Sequence, residues 1–276
     1  MRERFPRGHY YSPLPSLREV AARAGALFNP NVEIAGVRLE PDKQLALFKA
    51  LSRFAGDFDW PADPQPGRRF YIENGFFVEG DALVLFAVLR HFNPGKLIEV
   101  GSGFTSALML DTNERFLNRS ISLTFIEPFP ARLLSLVGKE LQEQVEIRRG
   151  SVQGVSLALF ETLAENDVLF IDSSHVAKIG SDVNFLLFEV FPRLKPGVIV
   201  HLHDIFWPFE YPQEWITEGR AWNEAYLIRA FLQFNDAFEI LLFNSYLGQR
   251  QGTVLQEIMP RFMRTTGASL WLRKTR

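Results

Sequence analysis

Cysteine is absent from the 276 residues, which removes disulfide frameworks, thiolate nucleophiles and zinc-thiolate sites from consideration. Long apolar runs are missing as well. No stretch approaches the roughly 20 apolar residues that a membrane-crossing helix needs, and the opening Met1-Arg2-Glu3-Arg4-Phe5-Pro6 lacks the apolar segment of a secretory signal. The expectation is a soluble, cytoplasmic protein with no membrane partner. There is no excess of basic charge either: 30 Lys and Arg face 32 Asp and Glu, and the pI is near 6.2. Despite basic residues near both ends, the chain carries no electrostatic footprint for nucleic acid. Internal repeats and low-complexity tracts are not found. What is present is ordinary globular composition, 47% hydrophobic and 22% charged, enough for a large core and against global disorder.

The stretch that organises the rest is Lys96 to Ser106, KLIEVGSGFTS. Leu97, Ile98 and Val100 read as a buried strand, which Gly101-Ser102-Gly103 turns sharply into a helix-forming run over 107–117. Glycines let the backbone approach a ligand, and the free N–H groups of the helix start offer donors. Glu99 is the informative residue. A carboxylate just before the turn repels a pyrophosphate and attracts an ammonium group. Ser106 also stands where the third glycine of a dinucleotide fingerprint belongs. Both features point away from a dinucleotide and towards S-adenosylmethionine.

Residues 1–75 read as an extension or arm packing on the core, with one plausible long helix at 43–54. Its Tyr10-Tyr11-Ser12-Pro13-Leu14-Pro15 segment is expected to be extended, its tyrosines packed on the domain surface or closing over an active site. The domain proper is expected over 76–276. Asp81 is positioned to cap a helix running to Phe92, and strands follow at 122–126, 145–149, 167–172, 198–202 and 238–243, with a last one at 269–273. Helices are expected at 131–143, 184–194 and 222–234, and little helix signal between the last two strands. Near-continuous apolar strands alternating with helices indicate an α/β, doubly wound, parallel sheet covered on both faces.

Together these residues resemble the class I S-adenosylmethionine-dependent methyltransferases, in particular bacterial members of a methyltransferase-domain subfamily, over roughly 75–276. The resemblance implies a Rossmann-like seven-stranded sheet of order 3-2-1-4-5-7-6 with strand 7 antiparallel. It also implies a methyltransferase, acting first of all on oxygen of a small, sugar-like or natural-product-like acceptor. It assigns Glu99, Gly101, Ser102 and Gly103 to the methionine end of the cofactor, Glu127 to the ribose hydroxyls, and Gln153 to the adenine region. Asp172 joins this cofactor set.

The chemistry candidates gather at the ends of strands four and five, where open α/β sheets bind their ligands. They are Asp172, His175, His203 and Asp204. A hydroxyl acceptor needs its proton removed, and His175 or His203 suits a base. His201 shares a strand face with His203. A divalent metal such as magnesium, held by Asp172 and Asp204, is the other route to an acidified hydroxyl. Similar metal-using enzymes place a third acidic or amide ligand where this chain has Ile205. The aromatic loop over 206–215 is expected either to wall an acceptor pocket or to bury itself against the arm or a second subunit, which leaves a homo-oligomer open. Glu224, in the first turn of a helix, reads first as a partner of the helix dipole, and that end of the helix is also placed to face the acceptor. Rival readings are a metal-dependent hydroxylase on the same sheet, a non-catalytic binding or scaffold protein, and, last, a dinucleotide oxidoreductase.

Overall fold

The apolar runs pair in register, and that register is what builds the site. A computed structural model describes residues 4–138 and 145–276. Its strands are β1 (Lys96–Val100), β2 (Ser122–Glu127), β3 (Glu146–Arg149), β4 (Val168–Ile171), β5 (Ile199–Leu202), β6 (Phe238–Phe243) and β7 (Leu270–Lys274). They form one sheet of order β3-β2-β1-β4-β5-β7-β6. β1 to β5 run parallel, and β7 is antiparallel to both β5 and β6. Val100 pairs with Ile126 and Ile171, and Ile171 with Leu202. The residues that follow, Gly101, Glu127, Asp172 and His203, therefore leave the sheet in a row along one edge. The expected order and the antiparallel last strand are both observed.

Helices cover the sheet because its strands are apolar on both faces: all four residues of β4 and of β5 are buried. The principal ones early in the chain are α1 (Leu17–Leu27), α2 (Pro41–Ser52), α3 (Glu79–Phe92), α4 (Phe104–Phe116) and α5 (Ala131–Val137). The expected continuation of α5 over 139–143 lies outside the described residues. α3 begins at Glu79 after Val78, so Asp81 is not its cap. The Asp81 carboxylate instead accepts the backbone N–H groups of Ala268 and Ser269 and the amide of Asn244, tying α3 to the segment before β7.

Two of the longer helices were not expected from the sequence. α1 has no fully buried residue, although Val20, Ala24 and Leu27 recur at helical spacing and are half-buried; Ser16 caps it by accepting the Glu19 N–H. The connection between β6 and β7 carries a helix over Asn244–Ile258, with Gly248 and Gly252 inside it and a non-helical break at Gln251. Glycines lower the helix signal there. The helix expected at 184–194 is a short α-turn from Asp182, a π-turn over Leu186–Val190 and a 3₁₀ turn over Phe191–Arg193. Pro192 lacks the N–H that a regular continuation requires.

The N-terminal extension enters the main core at Ile34 and then through Phe48, Leu51, Phe58, Trp60 and Phe70. Asp111 of α4 is the polar pin. Its buried carboxylate accepts the N–H groups of Arg69 and Phe70 at 3.0 and 3.2 Å, the Trp60 indole at 3.2 Å and the Arg69 guanidinium at 2.7 Å. The tyrosines behave otherwise. Tyr10 and Tyr11 are 81% and 64% exposed; Tyr10 stacks on His9 and Tyr11 meets both rings at a tilt, instead of packing on the surface of the domain. A polar contact, from Arg7 to the Ile216 carbonyl at 3.4 Å, ties this part of the arm to the region after the aromatic loop.

Candidate active site

A cleft of about 910 Å³ opens along the carboxyl ends of β1, β2, β4 and β5. Its floor is the turn after β1. Gly101 has φ +83° and sits so close to β4 that an added Cβ would lie 1.8 Å from the Asp172 carbonyl oxygen. Ser102 donates its N–H to Glu127 Oε2 at 2.8 Å, and Phe129 donates to Glu127 Oε1 at 2.7 Å. Glu127 thus faces the cleft with its carboxylate already oriented by backbone donors. The hydroxyls of Ser102 and Ser173, both on the cleft wall, are buried and have no partner among the described residues.

Glu99 lies beneath this turn, wholly buried, and is not part of the cleft lining. The hydroxyls of Thr105 and Ser106 donate to its two oxygens, so its carboxylate holds the first turn of α4. Burial pushes its pKa up to about 8 against the opposing pull of those hydroxyls. A carboxyl with a folded pKa above its unfolded value of 4.5 binds more protons when folded, so its contribution falls as pH rises between 4.5 and about 8. Glu99→Gln removes that loss. Urea unfolding at pH 5 and pH 9 is expected to show the variant gaining about 4 kcal/mol on the wild type at the higher pH. Parallel stability profiles for the two proteins count against it.

The opposite wall holds a compact set of ionisable groups. His175 Nδ1 is 3.0 Å from Glu224, and Nε2 lies 3.4 Å from Asp172 and 3.7 Å from Asp204. His203 Nε2 is 3.6 Å from Asp204. Burial disfavours charge on His175, yet the carboxylates of Asp172 and Glu224 outweigh it and raise its pKa to about 10. Asp172 is correspondingly held at about 2, since His203 and His175 outweigh its own burial. His203 is raised by Asp204 and Asp172 in spite of burial, whereas burial dominates at Asp204 and raises it. At neutral pH His175 is a cation between carboxylates, with no nitrogen left to accept a proton.

Of the residues expected from the sequence, Gly101, Ser102, Gly103, Glu127, Asp172, His175, His203 and Asp204 all line this one cleft. Gln153 does not: its exposed amide donates to the Gly180 carbonyl at 2.7 Å. His201 is a core residue, stacked 3.7 Å from the Phe170 ring and bonded to Ser269 Oγ at 2.9 Å. The aromatic loop divides its labour. Trp207, Phe209 and Tyr211 are buried, Trp207 donating to Pro30 of the extension at 2.8 Å. Phe206 and Trp215 line the cleft together with Trp222 and with Arg220, which stacks over Trp215 at 4.2 Å. Sequence reasoning missed Arg220, Arg132 and Phe76 as wall residues. Arg132 lies 3.7 Å over the Phe76 ring, a pairing across distant segments that no local pattern announces.

One donor set suits a metal. Asp172, His203 and Asp204 bring ligand atoms within 4.8 Å of one another, and His203 Nδ1 is buried with no partner among the described residues. Ile205, at the position expected for a third ligand, is buried in the core, and His203 offers the third donor instead. An imidazole with two carboxylates fits a transition ion better than magnesium, which favours oxygen ligands.

Residues 98–205, the span from β1 to just beyond β5, match the model of a family described as a methyltransferase domain. An uncharacterized protein of Archaeoglobus fulgidus is 36% identical over 166 residues, 59% of this chain and 75% of its own length. Among solved structures, the SAH-bound methyltransferase PaMTH1 of Podospora anserina is 15% identical over 96% of this chain and 99% of its own, with a TM-score of 0.47. The O-methyltransferase TomG of Streptomyces achromogenes, in complex with SAM, is 13% identical over 94% and 96%, with a TM-score of 0.42. The family match across the strands that build the cleft, joined to a 36%-identical relative of which the chain covers 75%, shows that the chain belongs to the methyltransferase-domain family.

Proposed function

We propose that this protein binds S-adenosylmethionine in the half of the cleft around Gly101-Ser102-Gly103 and Glu127 and transfers its methyl group to a hydroxyl of a small, sugar-like or natural-product-like acceptor. The observation that carries the reading is the shared register of β1, β2, β4 and β5, by which the glycine turn and Glu127 meet Asp172, His203 and Asp204 across one cleft. Displacement at a sulfonium carbon needs alignment first, and the acceptor hydroxyl must lose its proton. In this reading Glu127 takes the ribose hydroxyls, because a carboxylate accepts from both ends of a diol. The unpartnered hydroxyls of Ser102 and Ser173 turn to the cofactor's polar end. Glu99 acts from below by keeping the turn closed. His203 is the base, aided by Asp204, while His175 holds the two aspartates. Phe206, Trp215 and Trp222 wall the acceptor, as aromatic side chains commonly do. Residues 1–75 serve as an extension on the domain formed by 76–276, and the reading carries with it a cytoplasmic location. No described helix is long and apolar enough to cross a membrane.

A second reading of the same group has Asp172, His203 and Asp204 holding a divalent cation, favoured by the closeness of their ligand atoms. Bound there, the ion would lower the pKa of an acceptor hydroxyl. Calorimetry with S-adenosylmethionine and S-adenosylhomocysteine, with and without magnesium or manganese, tests both readings. Micromolar binding of the cofactor is the expected result; no binding under any of these conditions removes the central reading. With an acceptor found by screening, His203→Ala should lower kcat at least about 100-fold while leaving S-adenosylhomocysteine affinity within about threefold.

A further inference from the structure

As sequence, Glu224 is one more acidic residue in the first turn of a helix, where its charge complements the dipole. The fold gives it other company. It is 2% exposed, and its Oε2 lies 3.0 Å from His175 Nδ1. A dipole partner needs neither burial nor a single imidazole nitrogen at hydrogen-bond distance. The backbone repeats the link: the N–H groups of Asn223 and Glu224 donate to the His175 carbonyl at 3.0 and 3.2 Å. Asn223 also accepts the Ala177 N–H at 2.6 Å, and the Trp222 ring covers the imidazole at 4.4 Å. Residues 222–224 thus clamp the loop after β4 at the point where His175 takes a φ of +58°, a conformation that non-glycine residues hold only when their surroundings enforce it.

We propose that Glu224 is a positioning residue of this site. It receives the Nδ1 proton of His175 and so fixes the ring with Nε2 turned into the cleft, towards Asp172 and Asp204. An imidazole bonded to a carboxylate through one nitrogen has its ring flip decided, and only the second nitrogen faces the chemistry. A charge-assisted bond out of contact with water holds that choice firmly. In consequence the two aspartates meet a donor at a fixed point, which keeps their oxygens aimed across the cleft. The proposal rests on the cleft being the transfer site, although the ring orientation is a property of the free protein and is measured there.

The test is NMR of the full chain carrying nitrogen-15 in the imidazole rings of its five histidines, with the His175 signals identified by their loss in His175→Gln. The wild type is expected to show His175 with a slowly exchanging, downfield Nδ1–H resonance. Glu224→Gln should lose that resonance while its thermal unfolding remains cooperative and S-adenosylhomocysteine binds within about threefold of wild type. An unchanged Nδ1–H resonance in folded Glu224→Gln overturns the proposal. So does a wild-type spectrum in which His175 carries no protected proton on Nδ1, a result that stands even where the variant fails to fold. Failure of S-adenosylhomocysteine to bind the wild type would retire the reading of the cleft, and the histidine spectra would still decide the orientation.

Discussion

Glu127→Ala is expected to weaken S-adenosylhomocysteine binding by about 100-fold, measured by calorimetry at fixed ionic strength. Hydrogen bonds to a charged group contribute roughly 1.5–3 kcal/mol each, and a ribose diol makes two of them to one carboxylate. Losing about 2.7 kcal/mol already corresponds to a 100-fold change. Part of the loss comes from the protein side. Glu127 also accepts the Ser102 and Phe129 N–H groups, so alanine leaves the glycine turn without the acceptor that orients it. Glu127→Gln separates the two effects, because its amide oxygen keeps one neutral acceptor in place; its loss is expected near 10-fold. Stability should change by only about 1 kcal/mol in either variant, the usual net worth of a half-buried hydrogen bond. An alanine variant that stays folded and binds within threefold of wild type would remove Glu127 from the ribose site.

The sheet was legible because strands buried on both faces announce themselves as near-continuous apolar runs. Leu97 to Val100, Val168 to Ile171 and Ile199 to Leu202 can be little else than central strands. The helices were less so: the helix before β7 carries two glycines and a break, and α1 presents only a short, half-buried stripe of Val20, Ala24 and Leu27. At the site the strand-end residues were legible by position alone: whatever follows the last apolar residue of a parallel strand comes out at the ligand edge. Face alternation was a poorer guide. His201 and His203 share a face, but the antiparallel β7 packs Trp271 beside His201 and closes that part of the sheet, leaving only His203 in the cleft. The contact of Glu224 with His175 was missed for a related reason. The two are 49 residues apart, and a contact made by the return of the chain leaves no periodicity to read. Gln153 shows the converse, a residue in the expected place along the chain whose amide turns outward to Gly180.

The two glycines of the turn are alike in sequence and unlike in space, which makes Gly101→Ala and Gly103→Ala a sharp pair. Gly101 combines φ +83° with a Cβ position 1.8 Å from the carbonyl oxygen of Asp172. A backbone atom cannot swing aside, so the end of β4 must move, and with it the aspartate that faces both His175 and the cleft. Gly101→Ala should therefore destabilise the fold by about 3 kcal/mol or more and abolish measurable cofactor binding. Gly103 has φ 176°, extended backbone open to any residue, and its nearest neighbour for a Cβ is Arg132 Cδ at 3.2 Å, on a flexible side chain that can give way. Gly103→Ala should cost less than about 1 kcal/mol. Denaturant midpoints for the two variants measure the difference directly. Equal losses would mean that Gly101 does not press on β4 as the structure has it, and that strand β4 is free to yield where the cleft requires it to be fixed.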